Sequence, residues 1–190
     1  MIHELREYTI EQSVAERYFK LFRDLAMPIR GEAFGRLLGN WVVPGREMTF
    51  FHLWEYESLA DRTVKRAALA TIDDWTHKFL PAAAACITGQ RITILRPFAD
   101  AGVMSVLRDA QASRLAVSTF RCGTGQAAAV ASAVANSASM GDAGIWIEEI
   151  PDPNVVRCVS SRCDAPGPDV RLSELGVTNA SQQVWERGPC

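Results

Sequence analysis

Met48-Thr49-Phe50-Phe51-His52-Leu53-Trp54-Glu55-Tyr56-Glu57-Ser58 is the stretch that decides the reading of this chain. Side chains of an extended strand alternate between its two faces. Phe50, His52, Trp54 and Tyr56 therefore share one face, and Thr49, Phe51, Leu53 and Glu55 share the other. One face carries three aromatic rings and an imidazole. Such a face suits a small-molecule cleft, and it also suits a plain core.

Outward from this strand, elements follow in regular order. Ile2–Ile10 reads as a first strand, rich in β-formers. Ser13 and Glu16 have capping-box spacing, and Val14, Tyr18, Leu21, Phe22 and Leu25 form an apolar stripe at helical spacing that Pro28 should end. Phe34–Val43 leads into a second strand, and Pro44-Gly45-Arg46 is a turn signal before the third, Met48–Tyr56. Ser58 and Asp61 form a second capping box, opening a helix over Leu59–Ala70. Asp73 or Asp74 should cap another helical segment, with Trp75 and Phe79 four apart, and Ala82–Ile87 continues the helical composition. Gln90–Leu95 is a fourth strand, stopped by Pro97. The order is β-α-β-β-α-β, the ferredoxin-like plan.

The second half repeats this plan in weaker form. Arg114–Cys122, Ala143–Ile150, Val155–Cys163 and Gln182–Glu186 stand for the four strands. Thr124 should cap an alanine-rich helix reaching about Ser139. The stretch Asp164–Ala180 has lost most of a second helix. The chain thus divides into residues 1–98, a connector over 99–112, and a degenerate repeat over 113–190. The repeat rests on matched element order, not on residue identity. Two four-stranded sheets with bare faces can cover one another, within a tandem chain or between two chains.

Bulk properties limit the function classes. The 190 residues carry 20 basic and 22 acidic side chains, so no basic field exists to hold nucleic acid or an anionic membrane. All three histidines (His3, His52, His77) lie in the first half, which is where acid–base chemistry near neutral pH is expected. The five cysteines (Cys86, Cys122, Cys158, Cys163, Cys190) contain no CxxC and have no neighbouring histidine. They read as reduced thiols of a cytoplasmic protein, with Cys190 exposed. The N-terminal residues have no apolar h-region, and no apolar run approaches the ~20 residues of a membrane span. Seventeen arginines against three lysines hint at GC-rich coding and a bacterial source.

The first half resembles the NIPSNAP family. The matching residues are Glu4-Leu5-Arg6 with Tyr8; Phe34-Gly35 with Leu38, Gly39 and Trp41; His52-Leu53-Trp54 with Tyr56; Ser58-Leu59-Ala60-Asp61-Arg62 with Arg66; and Trp75 ahead of Phe79. The chain departs from the family pattern at Val43-Pro44-Gly45 and at Thr49. The resemblance implies an α+β fold, the ferredoxin-like dimeric α/β barrel, here as a tandem of two units with the second degenerate. That superfamily spans cofactor-free oxygenases, haem enzymes, isomerases and inert binding proteins, so the fold alone selects no chemistry.

Residue chemistry supplies the candidates. His52 is the candidate general base, and Tyr56, on the same strand face, is a candidate oxyanion donor. Trp41, Trp54 and Trp75 are candidate surfaces for a flat substrate, though aromatics are more often core. Arg6 shares a strand face with Tyr8 and could reach an anionic substrate. Arg66 stands four residues from Arg62, and its guanidinium fork could hold a carboxylate. The histidines lack metal-ligand spacing, and neither a phosphate loop nor a G-x-S-x-G elbow occurs.

The resulting expectation is a small-molecule enzyme without metal, nucleotide or other cofactor. Its substrate would be a hydrophobic, partly aromatic metabolite, and its reaction oxygenation, isomerisation or cyclisation, in bacterial secondary metabolism. The chain would be a homodimer or an internal pseudo-dimer. The rival expectation is a non-catalytic small-molecule-binding or protein-interaction module.

Overall fold

The computed structural model describes residues 1–98, 106–107, 114–137, 143–161 and 173–188. The chain forms two compact units, Met1–Ile92 with the last three residues, and Thr93–Arg187. The division falls inside a strand. The fold is mixed, with antiparallel sheets and helices in both units.

In the first unit, β1 (Ile2–Glu11) lies between β3 (Glu47–Tyr56) and β4 (Ile87–Pro97), and β2 (Arg36–Val43) flanks β3 on its far side. The strand order is β4-β1-β3-β2. β3 is therefore an interior strand. Its register with β1 sets Tyr8 opposite Phe50, Arg6 opposite His52, and Glu4 opposite Trp54. Directly opposed residues share a face, so these six side chains form one surface. Phe50, Trp54 and Tyr56 are almost wholly buried there, each contributing roughly 1.5–3 kcal/mol.

The first helical crossover begins with a tight turn over Gln12–Val14 and continues as α1 (Ala15–Leu21), a π turn (Phe22–Ala26) and α2 (Met27–Arg30). Two expectations are corrected here. Ser13 lies within the tight turn and caps nothing, because no side chain caps the start of this crossover. Pro28 does not end the helix, which runs on to Arg30 and stops at Gly31, where φ is +47°. A π turn widens the hydrogen-bond ladder, and Pro28, the residue without an N–H, comes two positions after it.

After β3, α3 (Leu59–Leu69) starts at a formed cap. Ser58 Oγ accepts from the Asp61 N–H at 3.1 Å, and Asp61 in turn accepts from the Glu57 N–H. A second π turn (Asp74–Phe79) leads into α4 (Leu80–Ala84). Neither Asp73 nor Asp74 supplies a side-chain cap to it. Ile87, expected in helix, opens β4 instead. Tyr18, Phe19, Phe22, Trp75 and Phe79 are the large buried rings of these crossovers.

In the second unit, β5 (Arg114–Cys122) pairs with both β8 (Val177–Arg187) and β7 (Val155–Ser160), and β7 pairs with β6 (Gly144–Ile150). β6 also pairs with the last residues of β4. One helix, α5 (Ala127–Ala135), packs Val130, Ala131 and Val134 against Phe120, Ile145, Ile147 and Val156. Gln126 occupies its N-cap position without a side-chain cap, so Thr124 does not cap it. Gly125, at φ +76°, turns the chain between the two. Cys163, Cys190 and most of the connector lie outside the described residues, as does much of Asp164–Ala180. Among the described residues, no helix is long and apolar enough to cross a membrane.

Candidate functional site

A cleft of about 360 Å³ opens in the first unit between the helical crossovers and the sheet face that carries His52. That is within the size range of small-molecule sites. Arg6, Tyr8 and His52 come from the sheet. Tyr18, Phe22 and Arg30 come from the first crossover, and Trp75, Phe79 and Ala83 from the second. Aromatic edges build the floor. The His52 ring stacks on Phe50 at 5.1 Å and meets Tyr8 and Phe22 edge-on at 4.8 and 5.3 Å. Trp75 and Phe79 lie 4.6 Å apart on the opposite wall.

His52 is held in one tautomer. The indole N–H of Trp54 donates to His52 Nδ1 at 2.6 Å. Nδ1 is thereby an acceptor, and the neutral ring carries its proton on Nε2. Burial pushes the His52 pKa well below its ordinary value, and the charges of Arg6 and Arg30 push the same way. Nε2 is buried and finds no acceptor among the described residues. A buried donor left unmatched costs about 1–3 kcal/mol, and a ligand oxygen would relieve that cost.

Two cations, Arg6 and Arg30, line the cleft with His52. Arg6 Nε donates to Glu4, and its Nη1 donates to the Tyr8 hydroxyl at 3.1 Å. Glu4 also takes the guanidinium of Arg62, and Arg66 stands 3.9 Å away. Burial alone would raise the Glu4 carboxyl, but the charges and hydrogen bonds of Arg6 and Arg62 hold it below its ordinary value. Burial likewise works against the Arg6 charge, and Tyr8 and Glu4 more than offset it, raising its pKa. Arg30 Nη2 donates to the Phe34 carbonyl at 2.7 Å and to the Tyr56 hydroxyl at 3.0 Å, and its guanidinium lies 3.4 Å over the Trp54 ring.

The predicted residues divide by position. His52, Arg6 and Trp75 line the cleft. Trp54 and Tyr56 lie beneath it, one fixing His52 and the other holding Arg30. Arg66 is half-exposed beside Glu4 and is not among the lining residues. Trp41 is corrected: β2 pairs it with Phe51, so it takes the opposite sheet face and does not reach the cleft. Arg30 was not found by sequence reasoning, since one arginine at a helix end carries no pattern. Glu4 had a signal, because residues 4, 6 and 8 of a strand must share a face. Among the described residues, no group of three His, Cys, Asp or Glu side chains converges as a metal site would require.

The NIPSNAP family model matches residues 3–101, just over half of the chain and nearly all of the cleft-bearing unit. The chain belongs to the NIPSNAP family. NipSnap homolog 3B of Mus musculus is 33% identical over 104 residues, which is 53% of this chain but only 41% of the mouse protein. NipSnap homolog 3A of Homo sapiens is 35% identical over 102 residues, covering 52% and 40%. The match therefore spans well under half of these NIPSNAP relatives. Among solved structures, a putative monooxygenase from Fusobacterium nucleatum aligns over 98% of this chain and 91% of its own, with a TM-score of 0.62 and 6% identity. That likeness is one of fold.

Proposed function

We propose that the first unit is a small-molecule enzyme that binds a hydrophobic, partly aromatic metabolite in the cleft and acts on it without metal or nucleotide. One observation carries this reading: His52, which lines an aromatic cleft, keeps a buried Nε2–H with no acceptor among the described residues. Oxygenation, isomerisation and cyclisation of such metabolites share one need, the stabilisation of negative charge on a substrate oxygen, as in a phenolate or enolate that binds already ionised. His52 would donate to that oxygen. Trp54 occupies the ring's other nitrogen, so the geometry favours a donor role for His52 over that of general base. Arg6 would add its charge, and Tyr56 would act through Arg30 as a positioning residue. The fold shared with a putative monooxygenase is compatible with this reading and does not select among the three reactions.

We further propose that the second unit is a reduced copy of the first. Its strands run β8-β5-β7-β6, and those of the first unit run β4-β1-β3-β2. By position along each unit, both orders are fourth, first, third, second.

Incubating purified protein with enolisable aromatic ketones and phenols, in air with EDTA, tests the enzymatic reading. Mass spectrometry should show conversion that His52→Ala removes. A panel that binds and returns unchanged at stoichiometric protein would favour the rival reading, a binding module.

A further inference from the structure

We infer that the cleft selects a planar aromatic monoanion, and that Arg30 is the residue that sets this charge preference. The inference rests on reading the cleft as a small-molecule site and deepens it by naming the ligand class. Its basis is the distribution of buried charge. Arg6 and Arg30 are both nearly inaccessible to solvent, at 7% and 3% exposure, and Glu4 is the buried carboxylate on this face. Glu4 is committed to Arg6 and to Arg62. No carboxylate among the described residues lies within ion-pair distance of Arg30. Its named partners are the Phe34 carbonyl, the Tyr56 hydroxyl and the face of Trp54. Its Nε is buried and has no partner among the described residues.

A buried guanidinium without a counter-charge is costly, and proteins normally pair one. Here the side chain lines the same cleft as His52, whose titration its charge influences. Among the nearly inaccessible groups, Arg6 and Arg30 against Glu4 leave one positive charge, which one anionic group on a ligand would balance. Arg30 is also preorganised. Tyr56 and Phe34 fix its Nη2, and the Trp54 ring fixes its plane. With Nη2 spent on these two partners, Nη1 is the nitrogen left to donate a charged hydrogen bond to a carboxylate or enolate oxygen. The cleft's other walls combine rings, among them Phe22, Trp75 and Phe79, with the aliphatic Leu80, Ala83 and Ile87, so the body of the ligand should be apolar, with a flat ring to meet the aromatic part.

The test compares 2-naphthoate with 2-naphthamide, which share a ring system and differ in charge, by isothermal titration calorimetry. Wild-type protein should bind the carboxylate roughly 10- to 100-fold more tightly than the amide, as expected for a charged hydrogen bond. Arg30→Met should bring that ratio to within about threefold while the amide still binds. Arg30→Lys, which keeps the charge if the methionine variant does not fold, should retain part of the preference and lose the rest with the anchoring by Phe34, Tyr56 and Trp54. Equal binding of both probes to wild-type protein, with chemical-shift changes at Trp75 and His52, would overturn the inference and leave the cleft reading intact. Absence of binding by either probe would overturn both.

Discussion

Trp54 and His52 stand two residues apart on β3, and the indole N–H of one closes on the Nδ1 of the other at 2.6 Å. This contact decides what His52 can do. It requires the neutral Nε2–H tautomer, and nitrogen chemical shifts of the imidazole should report that tautomer at pH 7. Trp54→Phe removes the donor and leaves a buried acceptor unmatched. It should destabilise the unit by about 1–3 kcal/mol and populate both tautomers.

Acid should weaken the protein in two separate limbs. His52 has a folded pKa far below 6.5. Between that lowered value and 6.5 the unfolded chain binds the extra proton, so stability falls as pH drops through this window. The Glu4 carboxyl is also lowered in the folded state. Its contribution is complete above about pH 4.5 and is lost as pH falls through the folded value. Urea unfolding at intervals from pH 8 to pH 3 should show both limbs, and His52→Gln should flatten only the upper one.

Glu4 compensates Arg6, which is buried, and Arg62, which is one-fifth exposed. Glu4→Gln would leave the buried guanidinium without its counter-charge. A loss of about 3–5 kcal/mol is expected, read as a lower urea midpoint. Arg62→Gln should cost clearly less, because Arg6 still answers the carboxylate.

Gly35 precedes β2 with φ at +108°, and a Cβ there would stand 2.8 Å from the Tyr56 ring. Both the backbone and the ring resist a side chain. Gly35→Ala should cost about 2 kcal/mol or more. It should also displace Tyr56 from Arg30, so the variant's cleft should lose affinity for 2-naphthoate even in the fraction that remains folded.

Much of this architecture was legible from side-chain period. Alternation along Met48–Tyr56 placed Phe50, His52, Trp54 and Tyr56 on one face, and the same rule placed Arg6 with Tyr8; carried back two residues it would also have placed Glu4. The Ser58 cap was legible because its hydrogen bond is local. What failed depended on non-local or irregular structure. Pro28 was misread because a π turn absorbs it. Trp41 was misassigned because its face follows from pairing with β3, across a register shift between Leu37 and Gly39. Arg30 was invisible because its partners, Tyr56 and the Trp54 ring, lie 26 and 24 positions away along the chain.

The central claim is that the His52 N–H is a ligand donor rather than a tolerated defect of the core. Calorimetric titration of 2-naphthoate into wild type, His52→Ala and His52→Gln, with melting curves beside each, tests it most directly. The expected result is binding lost by tenfold or more in the alanine variant and partly restored by glutamine, whose amide can donate. Affinity unchanged in folded His52→Ala, with only the melting temperature lowered, would contradict it.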